Sequence, residues 1–183
     1  VSRRIMAIVG AGADGCQPAS IDEAYVDLSS LADLGRARDR ADQIKREILE
    51  REGLTCSIGI GPNKLVAKIA SDFRKPDGLT VVAPDDVQVF LDGLSIRVIP
   101  GVGPKTERFL HERGITRIAE LRAVEPTRLR EWLGKGGEDL HRKAHGQSDD
   151  PVSSDRERKS VGEQETFEVD TLDAAFVGAI VAL

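Results

Sequence analysis

Apolar residues recur along most of this chain with the three-and-four spacing of helices, broken by short stretches in which they alternate or run together. Residues 2–9 carry Ile5, Met6, Ile8 and Val9 beside Arg3 and Arg4 and predict the end of an amphipathic helix, stopped by Gly10, Gly12 and Gly15. Residues 35–51 predict a long helix with Ala37, Ala41, Ile44 and Ile48 as one buried stripe. Its solvated face carries the acid-first pairs Asp42/Arg46 and Glu47/Arg51, and Gly53 ends it. Residues 54–61 read as a strand and 61–63 as a turn. Asn63 is then the N-cap of a helix that buries Leu65, Val66, Ile69, Ala70 and Phe73. Lys64 and Lys68 share one edge of that helix.

Residues 79–82 predict a short edge strand and 84–91 a short helix with Asp85 and Asp86 near its positive end. After a connector at 94–98 the pattern is helical throughout, over 108–113, 117–123, 126–133 and 137–145, with Gly114 and Gly134 as stops. Trp132 reads as a core anchor, and His141 and His145 as surface histidines without a metal partner. Residues 148–160 are polar and have the composition of a linker. A strand at 161–169 and a helix at 170–183 complete the pattern.

One apolar stretch departs from simple alternation. Ala19-Ser20-Ile21-Asp22-Glu23-Ala24-Tyr25-Val26-Asp27-Leu28 has strand formers on both sides of two adjacent carboxylates. A straight strand would send Asp22 and Glu23 to opposite faces and bury one of them unpaired. A hairpin tip at Asp22-Glu23 lets both project from one edge, where they suit a hard divalent cation such as Mg²⁺.

The composition is that of a soluble globular protein: 40% hydrophobic and 31% charged over 183 residues. That length holds one core and a second small domain. No apolar run is long enough for a transmembrane helix, so no membrane partner is expected, and the expected compartment is the cytoplasm. Cys16 and Cys56 form neither a metal motif nor a disulfide framework. The net charge of −5 weighs against a generally basic nucleic-acid surface, so any such contact must come from clustered residues.

A second candidate lies at Ile99-Pro100-Gly101-Val102-Gly103-Pro104-Lys105-Thr106, followed by Phe109 and Leu110. The pattern resembles a helix-hairpin-helix motif. Glycines at 101 and 103 allow backbone angles and close approaches closed to other residues, and Pro104 suits a first helical position. Backbone amides and a helix N-terminus of this kind hold a DNA phosphate without reading sequence, with Lys105 and Thr106 adding side-chain contacts.

Ser20-Ile21-Asp22-Glu23-Ala24-Tyr25 with Asp27 resembles the palm motif of the Y-family, translesion DNA polymerases related to DNA polymerase IV. Residues 57–70, the turn Lys75-Pro76-Asp77-Gly78, the hairpin motif and Arg158-Lys159-Ser160-Val161-Gly162 resemble later segments of the family in the same order. The resemblance implies an α+β fold: a palm over 1–95, a helical thumb over 96–147, a linker over 148–160 and the start of a little-finger domain over 161–183. It implies template-directed nucleotidyl transfer in damage tolerance, with Asp22 and Glu23 as catalytic ligands of two Mg²⁺ ions. Lys75 would reach the phosphates of a deoxynucleoside triphosphate, and Gly101, Val102, Gly103, Lys105, Thr106, Arg158 and Lys159 would hold primer–template DNA. A sliding clamp is an expected partner through a C-terminus beyond this chain. Fingers, a first palm strand with a third carboxylate, and most of the little finger are expected outside it, leaving this piece inactive alone. The competing readings are a non-catalytic helix-hairpin-helix DNA-binding module and a truncated, inactive polymerase relic.

Overall fold

A computed structural model describes residues 1–31 and 33–153. The first helix, α1 (Ser2–Gly10), leads into an antiparallel hairpin of β1 (Gly15–Pro18) and β2 (Ala24–Asp27), in which Gly15 pairs with Asp27 and Pro18 with Ala24. The long helix α2 (Leu34–Glu52) follows, started by the Asp33 side chain on the Gly35 amide and closed by Gly53 in the left-handed region. Its buried residues are the expected Ala37, Ala41, Ile44 and Ile48. The helical period is sufficient to reveal that face, because three or four residues per two turns must meet the core.

The second sheet pairs β3 (Ile58–Ile60) in parallel with β4 (Leu79–Val81), and α3 (Lys64–Phe73) makes the crossover between them. These two-stranded ladders do not join into one sheet among the described residues. The strand expected over 54–61 is reduced to its last part. Leu54 is exposed, and the Cys56 carbonyl accepts a hydrogen bond from the Lys45 ammonium at 2.5 Å instead of pairing in a ladder. Asn63 caps α3 as expected, its Oδ1 accepting from the Val66 amide at 3.0 Å. Phe73, expected in the core, is half exposed at the end of α3 and meets the edge of Phe90 at 5.2 Å between ring centres.

The β3–α3 crossover is closed backbone to backbone. A Cβ on Gly59 would stand 2.1 Å from the Ala67 carbonyl oxygen, and one on Gly61 2.8 Å from Val66 Cγ1. A side chain at residue 59 would force α3 off the sheet.

After a 3₁₀ turn at Pro84–Asp86, α4 (Val87–Asp92) leads through a second 3₁₀ turn, Ile96–Val98, into four helices: α5 (Pro104–His111), α6 (Ile118–Arg122), α7 (Pro126–Leu133) and α8 (Lys135–Ala144). Glu120, in the first turn of α6, accepts from the amides of Thr116 and Arg117 at 2.6 and 3.0 Å. That satisfies donors the helix leaves free and holds the carboxyl below the usual range. His145 is half-buried, not a surface histidine; burial, with the charges of His141 and Arg122, lowers its pKa.

Two clusters fill the interior. A small one joins Ile8 to Ile44 and Ile48. The larger runs without a break from Leu65, Val66, Ile69 and Ala70 on α3 through Leu91 to Ile99, Leu110, Leu121 and Leu129. It continues across residue 95, so the helical region is seated on α3 and α4 by apolar contact. Trp132 packs at its margin, edge-on to Phe109 at 6.0 Å, with the Arg113 guanidinium 3.6 Å from the Phe109 ring centre.

The chain leaves the helical region across the same core. A Cβ on Gly146, which has φ 70°, would meet Val87 Cγ1 at 2.4 Å. The Gly146 carbonyl accepts from Asn63 Nδ2 at 2.8 Å, so one side chain both caps α3 and pins the exit segment. The expected linker beyond 153, Arg158, Lys159 and the expected third domain lie outside the described residues.

The α7–α8 packing gives a direct test. A Cβ on Gly137 would stand 2.0 Å from the Leu129 carbonyl oxygen, whereas one on Gly136 meets nothing within 4 Å. Gly137→Ala is expected to lower unfolding free energy by about 1–3 kcal/mol. Gly136→Ala, by improving helix propensity, should raise it by about 0.5–1 kcal/mol. Urea denaturation of both variants checks the pair.

Candidate active site

The hairpin tip carries the carboxylates as the sequence requires. The loop 19–23 is closed by the Glu23 carbonyl, which accepts from the Ala19 and Ser20 amides at 2.8 and 3.2 Å. Ser20 Oγ accepts from the Glu23 amide at 3.1 Å and donates to Asp22 Oδ1 at 2.6 Å. This short side chain holds the turn and orients Asp22 at once. Asp22 and Glu23 both lie in solvent-exposed positions. Asp27, the third acid of the motif, takes another part: it accepts from the Ser29 hydroxyl and amide, which lower its pKa, and so shapes the chain after β2.

Helix α3 runs beside the tip and presents a row of charges to it. Lys68 Nζ donates to Glu23 Oε1 at 2.5 Å and lies 3.6 Å from Asp72 Oδ2. Asp72 Oδ1 is 2.6 Å from Lys75 Nζ. Burial works against the Lys68 charge, but the Glu23 hydrogen bond and the charges of Asp72, Glu23 and Tyr25 outweigh it and raise its pKa. Tyr25, on β2, is pushed up by burial and by the acids around it, against the opposing effect of Lys68. One turn earlier, Lys64 Nζ donates to Gln17 Oε1 at 3.0 Å, to Asp150 Oδ2 at 2.6 Å and to the Pro151 carbonyl at 3.1 Å, and lies 4.9 Å from the centre of the Tyr25 ring.

Lys75 is half exposed in the turn after α3. That turn is fastened from beneath by Lys45 of α2, whose ammonium donates to the Asp77 carbonyl at 2.9 Å and pairs with the Asp77 carboxylate. Asp77 adopts a left-handed backbone, and a Cβ on Gly78 would stand 2.2 Å from the Arg74 carbonyl oxygen. The expected residues Glu23 and Lys75 are thus joined through Lys68 and Asp72, which sequence reasoning did not assign, while Asp22 is held by Ser20. Four-residue spacing placed Lys64 and Lys68 on one edge of α3. Only the fold shows that this edge faces the carboxylates.

Two adjacent, exposed carboxylates offer hard oxygen donors of the kind a hydrated Mg²⁺ accepts. The donor set fits such an ion as a partial site. Among the described residues no group of three or more His, Cys, Asp or Glu side chains could enclose a metal, and Glu23 must give up its lysine to bind one.

The second candidate lies at the entrance of α5. Gly101 has φ 101°, a conformation that favours glycine, and its ideal Cβ lies 3.8 Å from Lys143 Nζ. Gly103 departs from the expectation: at φ −88° and ψ 174° its backbone is open to any residue. Val102 is held by the protein's own chain. Its side chain is buried, its amide donates to the Ile99 carbonyl at 3.0 Å, and its carbonyl accepts from Arg97 Nη1 at 2.6 Å. It fastens the hairpin to the core. Pro104 occupies the first helical turn, Lys105 is exposed and Thr106 half-buried. Lys143 of α8, expected only as part of a helix end, donates to the Pro100 carbonyl at 3.1 Å and pairs with Asp139 at 2.7 Å, which places a second ammonium beside the hairpin. No helix among the described residues is long and apolar enough to cross a membrane.

Comparison with known proteins agrees with both halves. Residues 1–72 match the model of the impB/mucB/samB family, and residues 97–148 match that of the DNA polymerase-iota thumb domain. DNA polymerase IV of Methanoculleus marisnigri is 42% identical over 182 residues, which is 100% of this chain and 51% of that protein. DNA polymerase IV of Streptococcus pyogenes serotype M1 is 44% identical over 155 residues, 84% of this chain and 43% of its own length. The crystal structure of DinB from Sulfolobus solfataricus superposes with a TM-score of 0.77 at 38% identity, covering 84% of this chain and 46% of that one. A Y-family DNA polymerase chimera superposes with a TM-score of 0.78 at 37% identity, covering 85% and 46%.

The chain belongs to the Y-family of DNA polymerases. It spans about half the length of the curated relatives it matches. The mixed helix-and-strand fold is that of the family, with the carboxylate hairpin in the first matched region and the glycine hairpin in the second.

The backbone angles at the second hairpin separate its two glycines. Gly103→Val should leave the unfolding free energy within about 0.5 kcal/mol of the parent. Gly101→Val should cost about 1–3 kcal/mol, because a β-branched residue is forced to positive φ. Thermal and urea unfolding of the two variants measures the difference.

Proposed function

We propose that this chain carries the catalytic carboxylates and the DNA-holding thumb of a template-directed DNA polymerase of the translesion type, acting in DNA damage tolerance. The observation that carries the proposal is the exposed Asp22-Glu23 tip, set beside a lysine edge that ends at Lys75. Asp22 and Glu23 would hold divalent cations, two Mg²⁺ ions in the complete site. When bound, such ions stabilise charge on the attacking and departing oxygens. Ser20 keeps Asp22 oriented, and Lys45 holds the turn from which Lys75 reaches the phosphates of a deoxynucleoside triphosphate. The glycine hairpin would hold the DNA backbone through amides of Gly101 and Gly103 and the first turn of α5, with Lys105, Thr106 and Lys143 adding contacts. Similar solved structures include an insertion ternary complex of Dbh DNA polymerase, which supports DNA and nucleotide as partners.

A second reading, a DNA-binding module without catalysis, has one observation in its favour. Two carboxylates without a third at the tip make a weak metal site among the described residues. Primer extension separates the two. Joined to the flanking segments of a related polymerase, the chain is expected to extend a primer with Mg²⁺ and deoxynucleoside triphosphates. Asp22→Ala or Glu23→Ala should slow extension by about a hundredfold or more, since several kcal/mol of charge stabilisation is lost. Duplex binding should be unchanged. Undiminished extension by either variant would overturn the catalytic assignment.

The thumb is testable on the 183-residue chain. Duplex binding should be independent of sequence, visible at low salt given the net charge of −5, and weaker in Gly103→Val with little change in salt slope. Lys105→Ala should reduce the slope of log K against log[salt] by about one. Fluorescence anisotropy across a salt series checks both, and parent-like binding by Gly103→Val would sink the phosphate-holding role.

A further inference from the structure

The charges along α3 alternate in a way the metal and nucleotide roles do not by themselves require. Glu23 is bonded to Lys68, Lys68 lies beside Asp72, and Asp72 is bonded to Lys75, at 2.5, 3.6 and 2.6 Å in turn. Lys68 and Asp72 are four apart on one helix, with the Lys75 turn one step beyond, so the helix itself sets the order. The two ends of this chain of charges are the residues assigned above to different ligands: Glu23 to a cation, Lys75 to phosphate. Each is occupied by a counter-ion of the protein's own.

We propose that Lys68 and Asp72 form a charge lock between the metal and nucleotide halves of the site. In the closed lock Lys68 occupies the Glu23 carboxylate and Asp72 holds Lys75 back. A divalent cation at Glu23 displaces the Lys68 ammonium, which then joins Lys75 as a phosphate-binding group. A polyphosphate drawing the two lysines towards it strips Glu23 of its counter-ion and opens it to the cation. Metal and polyphosphate therefore favour one another's binding, and the coupling is reciprocal. All four side chains are partly solvent-exposed, between 26% for Lys68 and 53% for Lys75. Exposed ion pairs of this kind exchange at small cost, which a switchable contact needs. Lys64, the other lysine of this edge, does not take part, because its ammonium is committed to Gln17, Asp150 and the Pro151 carbonyl.

The inference rests on the polymerase reading of Asp22, Glu23 and Lys75, and its test keeps the two apart. The probes are Mn²⁺, followed by NMR line broadening at Asp22 and Glu23, and tripolyphosphate without metal, followed by calorimetry, both on the 183-residue chain. Lys68→Met should tighten Mn²⁺ binding by about two- to fivefold, and Lys68→Arg, which keeps the pair, should leave it nearly unchanged. Asp72→Asn should tighten tripolyphosphate binding by a similar factor and weaken Mn²⁺ binding, because Lys68 then leans on Glu23 alone. In the double variant the Mn²⁺ effect of Asp72→Asn should largely vanish, whereas simple long-range electrostatics would leave the two changes additive. Mn²⁺ binding at Glu23 that is unchanged by Lys68→Met, or additive effects in the double variant, would overturn the lock and leave the site standing. Asp22 and Glu23 resonances that ignore Mn²⁺ even in Lys68→Met would overturn both.

Discussion

Between β3 and α3 there is no room for a side chain. The approach at Gly59, where a Cβ would sit 2.1 Å from the Ala67 carbonyl oxygen, fixes the distance and rotation of α3 on the sheet. Rotation is what matters for a helix with two occupied faces. With this phase, Leu65, Val66, Ile69 and Ala70 enter the large core while Lys64, Lys68 and Asp72 face the carboxylate hairpin and the exit segment. A rotation of one residue, about 100° for a helix of 3.6 residues per turn, would put Lys64 and Lys68 towards the core in one sense, or Ile69 against Glu23 in the other. Burial of the apolar face, worth roughly 1.5–3 kcal/mol for each large side chain, far exceeds what the exposed ion pairs contribute. Packing therefore places the charges, and the charges do not place the helix.

The same logic separates what the sequence disclosed from what it withheld. The stripe Ala37–Ala41–Ile44–Ile48 was legible because burial on a helix is periodic, and Asn63 because an N-cap is a local hydrogen bond. The hairpin tip was legible through a conflict: two adjacent carboxylates cannot both be accommodated in a half-buried strand. Phe73 misled because it satisfies the helical period, yet stands half exposed at the end of α3, where its ring meets Phe90. Residues 54–57 look like strand, but Lys45 captures the Cys56 carbonyl from α2, a contact set by tertiary placement. Gly103 carries a glycine's permissiveness without using it, and no pattern of residue types distinguishes it from Gly101. The roles of Lys68, Asp72 and Lys143 depend on which element lies opposite, which one sequence read by itself does not state.

The candidate site and the glycine hairpin share a support. The core under α3 is continuous with the core of α5–α8, and Asn63 spans from the α3 cap to Gly146. Arg122 of α6 pairs with Asp92 at the end of α4 across the same junction. Two surfaces read as serving different parts of one nucleic-acid substrate are thus held at a set separation by apolar packing with ion pairs at its edge.

The exit segment bears on how such a chain folds. Asn63 reaches Gly146 across 83 residues, and the Ser153 amide reaches Gln17 Oε1 across 136. The helices from α5 to α8 close through neighbours in sequence and form at little entropic cost, whereas these two contacts, like those of Lys64 with Asp150 and Pro151, shut long loops. They have nothing to bind until both the hairpin and the last helix exist. In translation from the N-terminus, the slot between Val66, Val87 and Leu91 stays open until Gly146 emerges to fill it. The early part of the chain therefore completes its structure only when the late part arrives, and a ribosome paused between them would hold an apolar seam exposed.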